Sequence, residues 1–206
     1  MRVLGVDEAG RGCVLGALVV GAFCTELTPE ALRAAGAADS KALTTARRRA
    51  ALGRLAKLGQ PDHRDISAQA IDAGNLNTLE EEAIVELIAA WRPDVVQIDA
   101  LGHPSTLPAT MRRITQSALD RGCRVTVEMT PKADALWPAV GAASIVAKLR
   151  RDDLLDALRA DHGDFGSGYP SDPTTRAWLT AHAAAAAPWP HFVRTRWGTV
   201  RDLALP

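Results

Sequence analysis

Apolar positions recur along this chain with two different periods, and the alternation between them outlines its elements. Residues 3–6 and 15–23 are short apolar runs that predict strands, joined through the glycine-rich segment Glu8-Ala9-Gly10-Arg11-Gly12. Residues 29–35 and 44–58 read as helices, and 63–68 as a third short strand. Thr78 and Glu81 have capping-box spacing, ahead of a helix whose Leu79, Ala83, Leu87 and Trp91 share one face and which Pro93 ends. An apolar run of strand length, residues 95–99, comes next. Leu107, Met111, Ile114 and Ala118 then mark a helix, residues 123–129 a strand, and residues 138 to about 160 another helix. The chain changes character after Gly163: Gly166-Ser167-Gly168-Tyr169-Pro170 is a turn cluster, followed by an alanine-rich helix from about 174 to 187.

Strands come first as a group and then alternate with helices. That order predicts an α/β fold, a mixed sheet flanked by helices with a helical C-terminal section. The chain has 206 residues, enough for one domain with a sizeable core or one domain plus a small appendage. Apolar residues make up 47% and charged residues 23%, which is ordinary, but aromatics are only 4%. Helix packing must therefore rest on Ala, Leu and Val.

Net charge is zero, with 24 basic and 24 acidic side chains. Any nucleic-acid contact must then come from local charge placement rather than from overall charge. Arg47, Arg48, Arg49, Arg54 and Lys57 share one helical stretch with no acid among them, which favours phosphate contact. Lys148, Arg150 and Arg151 form a second basic group, and Arg194, Arg196 and Arg201 a third. Cys13, Cys24 and Cys123 lie far apart without metal-ligand spacing, as expected of reduced, buried thiols in a cytoplasmic protein. No signal peptide is expected, because Asp7 and Glu8 arrive before an apolar stretch can build. The longest apolar run, residues 14–24, is shorter than the roughly 20 residues that span a bilayer, so no membrane partner is expected.

The acids carry the chemistry. Asp7 and Glu8 close the first strand, Asp99 closes the strand at 95–99, and Asp134 follows the strand ending near Met129. Carboxylates at the ends of neighbouring strands can converge on one point. Oxygen ligands without a Cys or His cluster suit Mg²⁺ or Mn²⁺ rather than zinc. Two such ions can activate water and stabilise the leaving oxygen of a phosphodiester. Each acid alone is more often a turn former or helix cap, but the adjacent Asp7-Glu8 pair has no obvious folding role. Gly10-Arg11-Gly12 is read either as a flexible hairpin or as a backbone nest that lets a substrate approach closely.

Asp7-Glu8-Ala9-Gly10-Arg11-Gly12 resembles the N-terminal signature of type 2 ribonucleases H, the ribonuclease HII family. Asp39-Ser40-Lys41-Ala42-Leu43, Asn75-Leu76-Asn77, Ile98-Asp99-Ala100, Lys132-Ala133-Asp134, the block from Ala142 to Lys148, and Gly166-Ser167-Gly168-Tyr169-Pro170-Ser171-Asp172-Pro173 look like further family blocks in the family's order. So does Phe192-Val193-Arg194 followed by Trp197. The likeness spans essentially the whole chain and is closer to archaeal-type members.

The resemblance implies a ribonuclease H-like five-stranded mixed sheet, with 1–162 as catalytic core and 163–206 as a substrate-binding section. It implies Asp7, Glu8, Asp99 and Asp134 as catalytic metal ligands for two Mg²⁺ or Mn²⁺ ions, and Gly10, Arg11 and Gly12 as the loop that senses the ribose 2′-hydroxyl. Tyr169 would stack on the sugar beside the cut, Ser40 and Lys41 would lie near the substrate phosphates, and Ser144 and Lys148 would line the same cleft. Lys148 can alternatively pair with Asp152 one helical turn on. The implied reaction is endonucleolytic hydrolysis of the RNA strand of RNA–DNA hybrids, and of duplex DNA on the 5′ side of a single ribonucleotide, leaving 3′-hydroxyl and 5′-phosphate. A monomer is implied.

Two departures stand out: Gly141, where many members have serine, is expected to matter little, and Thr195-Arg196 before Trp197 is unusual. Leu203-Ala204-Leu205-Pro206 lacks a Gln- and Phe-containing tail, so binding to a sliding clamp by that route is not expected. Competing readings are a junction resolvase or integrase-like nuclease, a non-catalytic hybrid-binding module, and a phosphatase using Asp7 as nucleophile. The first does not explain the glycine loop together with Tyr169, and the second predicts loss of an acid that is present. The third wants a second Asp where Ala9 stands.

Overall fold

The computed structural model describes residues 1–37 and 43–203, and five strands form one mixed sheet in the order β3-β2-β1-β4-β5. β1 (Val3–Ala9) is central. β2 (Leu18–Thr25) and β3 (Gln60–Ile66) extend the sheet antiparallel on one side, while β4 (Val95–Asp99) and β5 (Thr126–Thr130) extend it parallel on the other. The helices are α1 (Pro29–Ala35), α2 (Thr45–Leu55), α3 (Ala68–Ala73), α4 (Leu76–Trp91), α5 (Leu107–Asp120), α6 (Ala133–Leu136), α7 (Pro138–His162), α8 (Pro173–Ala184) and α9 (Gly198–Arg201). The expected mixed sheet with flanking helices and a helical C-terminal part is present. Ser40 and Lys41, and Ala204 to Pro206 of the C-terminal tail, lie outside the described residues.

Local chemistry moves several boundaries. α4 begins before Thr78 because the Asn75 side chain accepts from the backbone N–H of Asn77 and Thr78, at 3.0 and 3.2 Å. The Thr78–Glu81 capping box is therefore not what starts this helix. β3 begins at Gln60, three residues earlier than its sequence suggests. Its polar, half-exposed residues carry no apolar alternation, so its extent is set by the ladder to β2.

Strand alternation sorts the sheet into two faces. Leu4, Val6, Leu18, Val20, Val96 and Ile98 share one apolar cluster with Ile84, Leu87 and Ile88 of α4 and Ile114 of α5. The opposite face meets α7, flanked by α1 and α2, through small residues: Ala139, Ala142 and Ala143 cluster with Phe23, Leu32 and Leu55. Here the backbones themselves touch. A Cβ on Gly5 would lie 2.1 Å from the Ala139 carbonyl, and one on Gly21 would lie 2.5 Å from the Ala143 carbonyl oxygen. Abundant alanine and scarce aromatics are what such a close approach requires.

The C-terminal section builds its own small core, in which Phe165, Leu179 and Phe192 pack with Val14, Leu15 and Leu155. It is stitched to the segment before β2 by a Leu15–Val193 bridge and to α3 by Asp72, whose carboxylate accepts from the Thr195 N–H and hydroxyl, both at 2.7 Å. Thr195, unusual by sequence, thus has a defined partner. All three cysteines are unpaired and buried. Among the described residues no helix is long and apolar enough to cross a membrane.

Because the Gly5 contact is backbone against backbone, no side chain can yield there. Gly5→Ala should lower the unfolding free energy by about 3 kcal/mol, the upper end of ordinary overpacking, as read from urea denaturation.

Candidate active site

β1 and β4 are adjacent and parallel, so their C-terminal ends share one edge of the sheet. Asp7 and Glu8 stand near the end of β1, and Asp99 closes β4. Alternation sends Asp7 to the α7 side with Gly5, where Ser144 hydrogen-bonds its carboxylate. Glu8 turns to the other side, toward the charge of Arg11.

Asp134 arrives by a different route. Past β5, Lys132 adopts a left-handed conformation (φ 59°) and turns the chain into α6, on which Asp134 is buried. The Ala133 N–H donates to Asp99 Oδ1 at 2.8 Å, tying the two acid-bearing segments together. Gly141 of α7 lies beneath: a Cβ there would stand 3.0 Å from the Asp134 carbonyl oxygen. A serine there would make a tight contact with that backbone.

Asp7, Glu8, Asp99, Gly10, Arg11, Gly12, Ser144, Lys148 and Tyr169 line a single cavity of about 210 Å³. Asp134 is not part of that lining, although its charge reaches Asp7. Burial raises Asp7 to about 6, with Ser144 opposing and the charges of Asp99 and Asp134 adding to the rise. Burial likewise raises Glu8 to about 8, helped by Asp7 and Asp99 and opposed by Arg11. Among the described residues no three His, Cys, Asp or Glu side chains form a ready-made metal cage. The site nevertheless fits a hard cation: every acid donor is oxygen, and the acids repel one another.

Across the cavity, Tyr169 is held at the edge of the C-terminal section, 40% exposed. Its loop is fastened by Asp172, which accepts from the Ser167 N–H (2.5 Å) and hydroxyl (2.7 Å) and from the Thr174 N–H (3.0 Å). These bonds, led by the one from the Ser167 N–H, hold the Asp172 carboxyl down at about 2. The Arg151 guanidinium lies 5.5 Å from the Tyr169 ring centroid and donates to Cys13 Sγ (2.8 Å) and to the Ser167 carbonyl (3.0 Å).

The glycine loop is clamped by Arg194. This fully buried guanidinium donates to the carbonyls of Gly10 (2.8 Å), Arg11 (3.0 Å) and Gly16 (3.1 Å). Burial lowers its pKa to about 10, still charged at neutral pH.

Within the first basic group, read as favouring phosphate contact, three arginines are engaged inside the protein. Arg48 and Arg49 of α2 face Asp152 (3.5 Å) and Asp153 (2.5 Å) of α7, and the Arg54 Nε–H donates to the Ala35 carbonyl. Asp152 thus faces Arg48, while Lys148 lines the cavity. Arg150 pairs with Asp65 at 2.7 Å, and Arg151 and Arg194 are buried. The compensating acids lie on other elements, where a scan along one helix does not find them.

Sequence reasoning also passed over Glu80, Arg151 as a support for Tyr169, and Arg194 as a clamp. A signal existed for two of them. Glu80 falls in helical phase with Ala83, Ile84 and Leu87, and Arg194 follows the apolar pair Phe192-Val193.

An acid-lined cleft at the end of parallel strands in this mixed sheet places the chain among enzymes of ribonuclease H-like fold. A crystal structure of the ribonuclease H2 from Pyrococcus horikoshii OT3 superposes with a TM-score of 0.89 at 36% identity, covering 98% of this chain and 97% of that one. The ribonuclease HII of Archaeoglobus fulgidus, solved in complex with PCNA, superposes with a TM-score of 0.84 at 34% identity, over 96% and 95%. The Pyrococcus abyssi ribonuclease HII is 39% identical over 209 residues, 98% of this chain and 91% of the relative. The model of the ribonuclease HII family matches residues 4–200. The chain belongs to the ribonuclease HII family.

The raised pKa of Asp7 has a consequence for stability. Its folded value lies above the ordinary 3.8, so its contribution is most favourable at low pH and is lost as pH rises through about 6. Asp7→Asn should therefore raise the melting temperature at about pH 8 in chelator-containing buffer, and the gain should vanish below about pH 4. A thermal-melt series over pH checks this; a gain that is constant with pH would count against it.

Proposed function

We propose that this protein is an endonuclease that hydrolyses the RNA strand of RNA–DNA hybrids and cuts duplex DNA on the 5′ side of a single ribonucleotide, leaving 3′-hydroxyl and 5′-phosphate. One observation carries this reading. Carboxylates from β1 and β4 face a cavity that also holds the Gly10–Gly12 loop and Tyr169, with Asp134 within electrostatic reach. Such a cavity joins hydrolytic groups to a means of telling ribose from deoxyribose.

Asp7, Glu8, Asp99 and Asp134 would hold two divalent cations, Mg²⁺ or Mn²⁺. Bound there, the cations supply Lewis-acid stabilisation of the phosphodiester and a more acidic water. The protein's own groups do the rest. Ser144 orients Asp7 by hydrogen bonding, and the Asp99–Ala133 bond fixes Asp99 against α6. Lys148, on the cavity wall, is placed to offset phosphate charge. The backbone of residues 10–12, pinned by Arg194, meets the ribose 2′-hydroxyl, and the Tyr169 ring stacks on the sugar beside the cut. Residues 163–206 act in this scheme as the substrate-binding section of the same domain, since they supply both Tyr169 and Arg194. Three buried, unpaired cysteines suit a reducing cytoplasm.

The direct test is end-labelled duplex DNA carrying one ribonucleotide, incubated with the protein and Mg²⁺ or Mn²⁺, with the cut mapped at nucleotide resolution. Cleavage should fall immediately 5′ of the ribonucleotide; an uncut duplex with either ion removes this reading. Asp134→Asn should reduce cleavage about a hundredfold or more while hybrid binding persists, the scale of losing one electrostatic group at a reacting centre. Full activity in that variant would take Asp134 out of the site. Tyr169→Ala should weaken cutting at an isolated ribonucleotide about tenfold, as expected from the loss of one aromatic stacking contact. A rate equal to that of the unmodified protein would remove the stacking role.

A further inference from the structure

Glu80 is a fully buried carboxylate that the hydrolytic scheme leaves unused. It sits on the first turns of α4, on the face that packs into the core. One of its oxygens, Oε2, accepts a hydrogen bond from Nη1 of Arg11, and the other, Oε1, has no partner among the described residues. The second guanidinium nitrogen of Arg11 donates to Asn77 Oδ1 at 2.6 Å, one turn away on the same helix. Arg11 is thus held by its side chain to α4, and its backbone carbonyl is held from the other direction by Arg194.

This arrangement has a physical consequence for the loop. A buried carboxylate is tolerable only when paired, so Glu80 constrains Arg11 as firmly as Arg11 satisfies Glu80. The guanidinium is not free to swing toward a phosphate, because both of its terminal nitrogens are engaged on α4. Gly10, Arg11 and Gly12 all line the cavity, and the two glycines offer it nothing but backbone. Where that backbone stands depends on two anchors, and Glu80 is one of them.

We propose that Glu80 is a positioning residue: by holding the Arg11 side chain down on α4, it sets where the backbone of residues 10–12 meets the ribose of the substrate. The inference rests on the reading of that loop as the ribose sensor. It assigns Arg11 an internal role and makes α4, otherwise a core helix, part of the apparatus that selects ribonucleotides.

The test compares the full-length protein with Glu80→Gln and with the double variant Arg11→Met/Glu80→Met. Substrate is duplex DNA with one ribonucleotide, with Mg²⁺ present. Glu80→Gln should raise KM about tenfold and leave kcat within about threefold, as expected when a charge-assisted hydrogen bond that orders a recognition loop is weakened. The double variant exchanges the buried ion pair for apolar chains, so its melting temperature should return to that of the parent while KM stays raised. A merely structural role predicts the opposite, with KM recovering together with stability, and that result overturns the proposal. So does a KM for Glu80→Gln within about twofold of the parent. Amide hydrogen exchange of the segment 9–13, measured without substrate, decides the inference separately: it should quicken about tenfold in Glu80→Gln, and unchanged exchange refutes it. If the parent protein fails to cut at the ribonucleotide, the functional reading falls, and exchange alone then judges the Glu80 anchor.

Discussion

The contact on which the rest of this structure depends is the backbone-to-backbone seating of α7 on β1 and β2. Gly5 and Gly21 offer no side chain, and alanines answer them from the helix. At ordinary side-chain separation the helix would ride farther from the sheet. Ser144 would then lose Asp7, and Lys148 would leave the cavity wall. About one turn past Lys148, Arg151 packs so tightly on Gly10 that a Cβ there would lie 2.4 Å from Nε. One close helix–strand contact therefore sets the position of an acid, a cation and the support beneath Tyr169.

On that frame the site gathers charge at a cost. Asp7 and Glu8 are pushed above the usual carboxylate range by burial and by neighbouring acids. The fold accepts this strain at the parallel strand ends and offsets it only partly, through Ser144 at Asp7 and Arg11 at Glu8. Concentrated, uncompensated negative charge is a poor way to stabilise a protein and a good way to attract a hard cation.

The basic residues show a complementary economy. In a chain of zero net charge, most of the arginines that look available for phosphates are joined to acids or carbonyls within the protein. Arg194 and Arg151 attach the C-terminal section to the glycine loop and α7. Asp72 adds a further attachment at Thr195, the residue after Arg194. The helical section is thereby fastened to the glycine loop, α7 and α3 by charge and backbone hydrogen bonds as well as by its apolar core.

Much of this was legible in the chain itself. Apolar runs and their periods located the strands, and β4 and α1 emerged with the boundaries the pattern predicted. Short motifs marked Asp7, Glu8, Asp99 and the loop 10–12, because chemistry carried by adjacent residues leaves a local trace. Polar segments were harder: β3 takes its extent from a partner strand, and α4 starts at an asparagine cap rather than at the capping box. What only the tertiary structure decided is which charge meets which. Arg11 finds Glu80, Arg48 finds Asp152 and Arg194 finds three carbonyls, across sequence separations of 69, 104 and more than 170 residues. Hydrophobic patterning encodes a direction, inward or outward, and that is a property of one residue. Pairing of charges depends on distance and shielding between two, and those exist only once the chain has folded.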